Sequence, residues 1–272
     1  MRAVADQIKT VALDSWDDFI DHLRRSSYDV GDYFYRGQGN ATWGLVPTLQ
    51  RKLDYPIATR DIYTNRKYEY LRAFRDHAHG LTGFPDGLTH LDRLLTLGRH
   101  HGLVTPILDW TRSPYVAAFF ALFEIARTIN MPLDGDPDKS KGRGGKAIVA
   151  IWRYQIRGGD GSVGSELRVF TEVGFPNARQ QAQSSVYMHL DTHEYRSVDH
   201  LLLDRGLNSN LEKWVIVVQE AREAIADLAL MNIHIASMFP DLAHCRAAGQ
   251  QSNKLSRYIF LSEPMAGGPL CC

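Results

Sequence analysis

The chain has 272 residues, 44% hydrophobic and 23% charged, and its 31 Lys+Arg balance 31 Asp+Glu to a formal net charge of zero. Such a composition excludes wholesale disorder, gives no bulk electrostatic pull toward nucleic acid, and supplies enough apolar surface for a sizeable core. No apolar run approaches the roughly 18–20 residues of a membrane helix, and the N-terminal stretch lacks the apolar centre of a signal peptide, so a cytoplasmic chain without a membrane partner is expected. Cys245, Cys271 and Cys272 are too few and too clustered for a disulfide framework.

Residues 8–13 can form a short strand, and Ser15 can cap a helix whose Trp16, Phe19, Ile20 and Leu23 share one face. The aromatic run Tyr33-Phe34-Tyr35 predicts a strand that ends at Arg36, followed by a loop through Gly37-Gln38-Gly39 and Pro47. Amphipathic helices are expected over 59–78, with Tyr63, Tyr70 and Phe74 at helical spacing, and over 87–101, with Leu88, Leu91 and Leu95. Residues 100–127 join a small irregular loop to a strongly apolar helix, with Asp109, Trp110 and Thr111 just before the helix start. Ser113 caps that helix, Pro114 opens it, and Val116, Phe119, Phe120 and Phe123 form its buried stripe.

Residues 130–146 carry Gly, Pro, Asp and Lys without apolar period and read as a long surface loop. Strands are then predicted at 147–152, 166–173, 184–190 and 214–218, a helix near 220–230, a turn and helix at 239–248, and a last strand at 257–261. No linker or repeat divides the chain. The fold class expected is α+β, a single domain over 1–262 with a mixed or antiparallel β core flanked by amphipathic helices, and a tail at 263–272.

Several motifs fail on context. Gly159-x-Gly161-x-x-Gly164 precedes a strand instead of the helix N-terminus that a dinucleotide fingerprint needs, and 142–147 has Ala147 where a P-loop needs Ser or Thr. The histidines lack metal-ligand spacing, so no metal site is expected, and no Gly-x-Ser-x-Gly nucleophile elbow exists.

Three polar clusters remain: Tyr35-Arg36-Gly37-Gln38; His100 with Asp109, Trp110, Thr111 and Ser113; and Asn177 with Arg179 and Gln183. An arginine ending an apolar strand needs an anionic partner, either Asp109 in a structural ion pair or a ligand phosphate held by the guanidinium fork. Arg24, Arg25, Arg51, Lys52, Arg66 and Lys67 form either a basic rim for nucleic acid or solvated helix faces.

In this order the clusters resemble the FRG domain, a bacterial family named for its Phe-Arg-Gly motif. Here Phe34-Tyr35-Arg36-Gly37-Gln38 carries that motif, continued by Trp43, Leu45, Pro47, Leu49 and Arg51. The family's central block is similar to His100, Gly102, Thr105, Leu108 to Thr111, Pro114, Val116, Ala117, Phe120 and Ala121. Asn177, Arg179 and Gln183, then Phe239 to Leu242, match later segments. The chain departs from the family at Arg99, where Gln is usual, at Pro106-Ile107, and at Ser184-Ser185.

The FRG pattern in turn resembles the ADP-ribosyltransferase fold. That resemblance implies a β core of that type and an NAD-dependent ADP-ribosyltransferase acting on a protein, RNA or DNA acceptor. A toxin or antiviral-defence role, with an antitoxin partner, belongs to the same implication. Arg36, Thr111 and Gln183 would be catalytic, with Arg36 on the pyrophosphate. Gly37, Gln38, His100, Asp109, Trp110, Ser113, Asn177 and Arg179 would line the NAD site. Arginine-directed transferases carry a carboxylate where Gln183 stands here, so either Gln183 suffices with a different acceptor or Asp109, Glu166 or Glu172 supplies the charge. A non-catalytic sensing or interaction module, and NAD hydrolysis without an acceptor, are the alternatives.

Overall fold

A computed structural model of the chain describes residues 7–26, 33–53, 57–79, 91–129, 147–157, 159–171, 178–218 and 221–240. Seven strands form one sheet in the order β1-β7-β4-β2-β3-β6-β5: β1 (Lys9–Leu13), β2 (Tyr33–Gln38), β3 (Ile107–Thr111), β4 (Ala147–Gln155), β5 (Leu167–Phe170), β6 (Ser185–Leu190) and β7 (Leu211–Val218). Only the β1–β7 pair is parallel; the other neighbours are antiparallel, which makes this a mixed-sheet α+β fold.

Alternation along the strands divides the core. On one face Tyr35, Val149, Ile151, Trp214 and Ile216 pack against α1 (Trp16–Arg25), α5 (Pro114–Ile129) and α8 (Ala221–Leu230). On the other, Phe34, Leu108, Trp110, Trp152, Val186 and Met188 pack against α7 (Val198–Asp204). The helices α2 (Thr48–Lys52), α3 (Arg60–Ala78) and α4 (Leu91–His100) gather beside β3 and β6, where Leu71, Leu94 and Leu95 meet Ile107 and Tyr187.

The caps follow the sequence. Ser15 Oγ accepts from Asp18 N–H at 3.0 Å to start α1, and Ser113 Oγ accepts from Val116 N–H at 3.3 Å to start α5. Two short helices complete this end, α6 (Ala178–Ala182) and α9 (Ile235–Met238).

Four expectations need correction. β2 does not stop at Arg36: Gly37 and Gln38 stay paired with Ile151 and Ala150 of β4. The stretch before α5 is a strand, because Ile107 to Thr111 pair residue for residue with His189 to Ser185. The buried face of α3 is Tyr63, Lys67 and Leu71, while Tyr70 is exposed. The strand expected at 166–173 is described only over Leu167–Phe170. The loop at 130–146, the elements at 241–248 and 257–261, the tail at 263–272, and Leu88 lie outside the described residues. None of the described helices is long and apolar enough to cross a membrane.

Candidate functional site

The sheet opens at its centre. β2 and β3 are neighbours, yet they register only at Tyr35 opposite Thr111, and beyond that pair the strands part. The Arg36 side chain bridges the gap, its Nη1 donating to the main-chain carbonyl of Asp109. A ladder position lost to divergence is thus partly replaced by a charged donor, since a buried carbonyl needs a partner.

Beside this opening lies a cavity of about 400 Å³, within the range of roughly 300–1,000 Å³ common for small-molecule sites. Its floor comes from Tyr35, Arg36 and Gly37 of β2, Asp109, Trp110 and Thr111 of β3, and Ser185 and Tyr187 of β6. Ala117, Phe120, Phe123 and Glu124 of α5 form one wall, and Arg99, Arg179, Gln183 and Phe239 close it.

The charges are arranged unequally. Arg99 donates twice to Asp109 Oδ2, from Nη2 at 2.7 Å and from Nε at 3.0 Å, and Asp109's charge holds the Arg99 pKa up against burial. The acid expected to pair with Arg36 is therefore clamped by Arg99, and the Arg36–Asp109 ion-pair alternative gives way to a contact with Asp109's main chain. Burial pushes the Arg36 pKa down to about 10; Asp109 opposes this, and Arg99 and Arg51 reinforce it. Arg36 remains cationic at neutral pH. Two donors on cavity-lining residues, Arg36 Nε and Trp110 Nε1, are buried with no hydrogen-bond partner.

Gly37 is set by packing. A Cβ there would stand 1.8 Å from Ala117 O and 2.9 Å from Ala121 N, so the glycine lets α5 lie directly on β2. Gln38 points away from the cavity and is spent structurally, its Nε2 on Gly44 O at 3.0 Å and its Oε1 on Trp152 Nε1 at 2.6 Å. Thr111 lines the cavity, but its hydroxyl donates to Gln183 O at 2.7 Å and accepts from Ser113 N–H at 3.1 Å. It pins the turn before β6 to the start of α5, while Ser113 serves as the helix cap.

Gln183 lies in the turn after α6, not on a strand, and its Nε2 donates to Met238 O at 2.8 Å. Arg179 lies over the Phe239 ring at 5.3 Å. Burial, then Asp109's charge, raises the Tyr187 pKa. The side chain of His100, and all of Asn177 and Glu172, lie outside the described residues.

Among the carboxylates expected to supply charge, Asp109 is neutralised by Arg99, and Glu166 accepts from Arg205 at 2.6 Å and does not line the cavity. A further acid that the sequence motifs do not mark, Glu124, lines the cavity, and its Oε2 accepts from Gly39 N–H at 3.0 Å. The available signal was position: Glu124 stands seven residues after Ala117, a charge set in the buried stripe of an apolar helix. The six-residue basic rim is not assembled as such. Arg24 and Arg25 pair with Asp21, Arg66 pairs with Glu69, and Lys67 is buried against Asp191 at 2.8 Å. Among the described residues, no group of three or more His, Cys, Asp and Glu is placed to hold a metal ion.

The geometry defines a mixed-sheet α+β protein with an arginine-rich cavity at a split between two central strands. Residues 31–128 match the family model of the FRG domain. That stretch runs from β2 through nearly all of α5 and contains Arg36, Arg99, Asp109 and Glu124, while Arg179, Gln183 and Phe239 lie outside it. No curated protein and no solved structure matches the chain.

Proposed function

We propose that the cavity binds NAD and that the protein transfers ADP-ribose from it to a macromolecular acceptor, a protein or a nucleic acid. The observation that carries the reading is convergence. Of the described residues that the sequence resemblance implies, Arg36, Gly37, Asp109, Trp110, Thr111, Arg179 and Gln183, from three separated segments, border one cavity, while Gln38 and Ser113 do not. Its guanidinium groups suit a pyrophosphate, and Phe120, Phe123 and Phe239 suit planar rings. The unpartnered Arg36 Nε favours the same reading, because a buried donor left unsatisfied costs roughly 1–3 kcal/mol that a ligand oxygen would recover.

In this reading Arg36 and Arg99 hold the phosphates rigidly. Rigidity matters because departure of nicotinamide leaves positive charge on the ribose, and a fixed environment stabilises that charge without reorganising. Thr111 and Gln183 act as positioning residues, joined through the Thr111 hydroxyl. The roles of toxin or defence effector, with an antitoxin partner, belong to the same proposal.

Incubation of the purified chain with NAD labelled in the adenylate half tests it. Label on a macromolecule supports transfer, free ADP-ribose alone supports hydrolysis, and unchanged, unbound NAD leaves the non-catalytic module. Arg36→Ala is expected to abolish turnover while the far-ultraviolet circular dichroism stays that of the wild type.

A further inference from the structure

The site contains a carboxylate that neither the sequence motifs nor the proposed ligand contacts employ. Glu124 borders the cavity from α5, and its charge acts on both Arg36 and Arg51. Its seat is built by the residue that follows β2: a Cβ on Gly39 would lie 3.0 Å from Glu124 Cβ, 3.1 Å from Cγ and 3.2 Å from Oε2. The absence of a side chain at Gly39 lets the carboxylate reach that residue's own N–H, at 3.0 Å. The second glycine of Arg36-Gly37-Gln38-Gly39 thus accounts for the placement of an acid 85 residues later.

We infer that Glu124 is the catalytic carboxylate of this cavity, facing the ribose and receiving the proton of the acceptor. The inference rests on the NAD-cleaving reading above. In the step it serves, the bond between ribose C1′ and the nicotinamide nitrogen breaks, and its electron pair cancels the ring's positive charge. Positive charge develops at C1′, opposite the carboxylate. A lone pair of the acceptor hydroxyl or amine then forms the new bond to C1′, and the displaced proton passes to Glu124 and on to water. The products are ADP-ribosyl acceptor, free nicotinamide and one proton, with no other reactant required.

Two of the other described acids fit the role less well. Asp109 is neutralised by Arg99, and Glu166 is engaged with Arg205 outside the cavity.

Glu124→Gln separates chemistry from binding, because the amide keeps an oxygen for the Gly39 N–H. Nicotinamide release is expected to slow by about 10²-fold or more, the usual scale for losing one electrostatic partner of a transition state, with the dissociation constant for NAD changed less than about threefold. Glu124→Ala is expected to regain turnover in added azide or formate, small anions that enter the vacated space. Wild-type-like turnover in Glu124→Gln overturns the assignment, as does a loss of NAD affinity equal to the loss of turnover. Absence of rescue in a folded Glu124→Ala that still binds NAD overturns it as well. If the wild-type protein neither binds nor cleaves NAD, the underlying reading fails and the assignment falls with it; an active wild type with an active Glu124→Gln rejects the assignment alone.

Discussion

Gly37 and Gly39 lie two residues apart on the same segment, and substitution is expected to affect them differently. At Gly37 an added methyl would meet the α5 backbone, Ala117 O at 1.8 Å, which can yield only if the helix moves off the sheet. Gly37→Ala is therefore expected to destabilise the protein by about 3 kcal/mol or more, seen as a lowered denaturation midpoint in urea. At Gly39 the contacts are looser: Glu124 Cβ, at 3.0 Å, has to give by a few tenths of an ångström, while Cγ at 3.1 Å and Oε2 at 3.2 Å can rotate away. Gly39→Ala is expected to cost less than about 1 kcal/mol in stability but to lower turnover, because the displaced group is the proposed catalytic carboxylate. Equal stability losses in the two variants would contradict this account of the motif.

Among the secondary-structure elements, the site is the meeting of β2, β3 and the start of α5, and small polar bonds fasten them. Thr111→Val keeps the shape but removes the donor to Gln183 O and the acceptor for Ser113 N–H. A loss of about 1–2 kcal/mol is expected by thermal denaturation, with faster hydrogen exchange at the α5 N-terminus. Arg99→Gln frees the Asp109 carboxylate beside Arg36 and is expected to weaken NAD binding at least tenfold in a calorimetric titration.

These elements were unequally legible in the sequence. The Ser15 and Ser113 caps and the stripe of α5 could be read directly, because a cap and an apolar period are local. β3 was hidden because Asp109 and Thr111 face the cavity. Ile107, Asp109 and Thr111 share one face and Leu108 and Trp110 the other, so functional polarity erased the alternation that marks a strand. Arg36 and Asp109 were rightly placed near each other, but their partners were not readable. Whether Asp109 binds Arg36 or Arg99 is decided by how far two strands diverge, and no local pattern encodes that.

For the whole molecule, stability is tied to pH through buried ionisable groups away from the cavity. His189 on β6 is buried beside Asp92 of α4 and Arg168 of β5, its Nδ1 lying 2.8 Å from Arg168 Nη2. Burial lowers its pKa against the raising influence of Asp92, so the unfolded chain takes up a proton at a higher pH than the folded chain does. Stability is fully present above the unfolded value of about 6.5 and falls as the pH drops below it.

Asp191 acts in the same direction lower on the scale. Burial raises its carboxyl pKa, but Lys67, with Arg60, outweighs that and holds it below its ordinary value. Its contribution is present above the ordinary aspartate range of about 3.9 and is lost as the pH falls through the depressed folded value. Urea unfolding between pH 7.5 and 5 is expected to show declining stability, with a shallower slope in His189→Gln. A flat wild-type profile would contradict the burial of a neutral His189.

The FRG match ends at residue 128, whereas the cavity is completed by Arg179, Gln183 and Phe239 from the second half of the chain. Fold and site are therefore properties of the assembled sheet, not of the matched segment alone. A crystal structure of the protein with NAD decides whether NAD occupies this cavity. The expected result is a pyrophosphate oxygen within hydrogen-bond distance of Arg36 and the nicotinamide ribose beside Glu124. NAD bound elsewhere, or a cavity empty of NAD at saturating concentration, would contradict it.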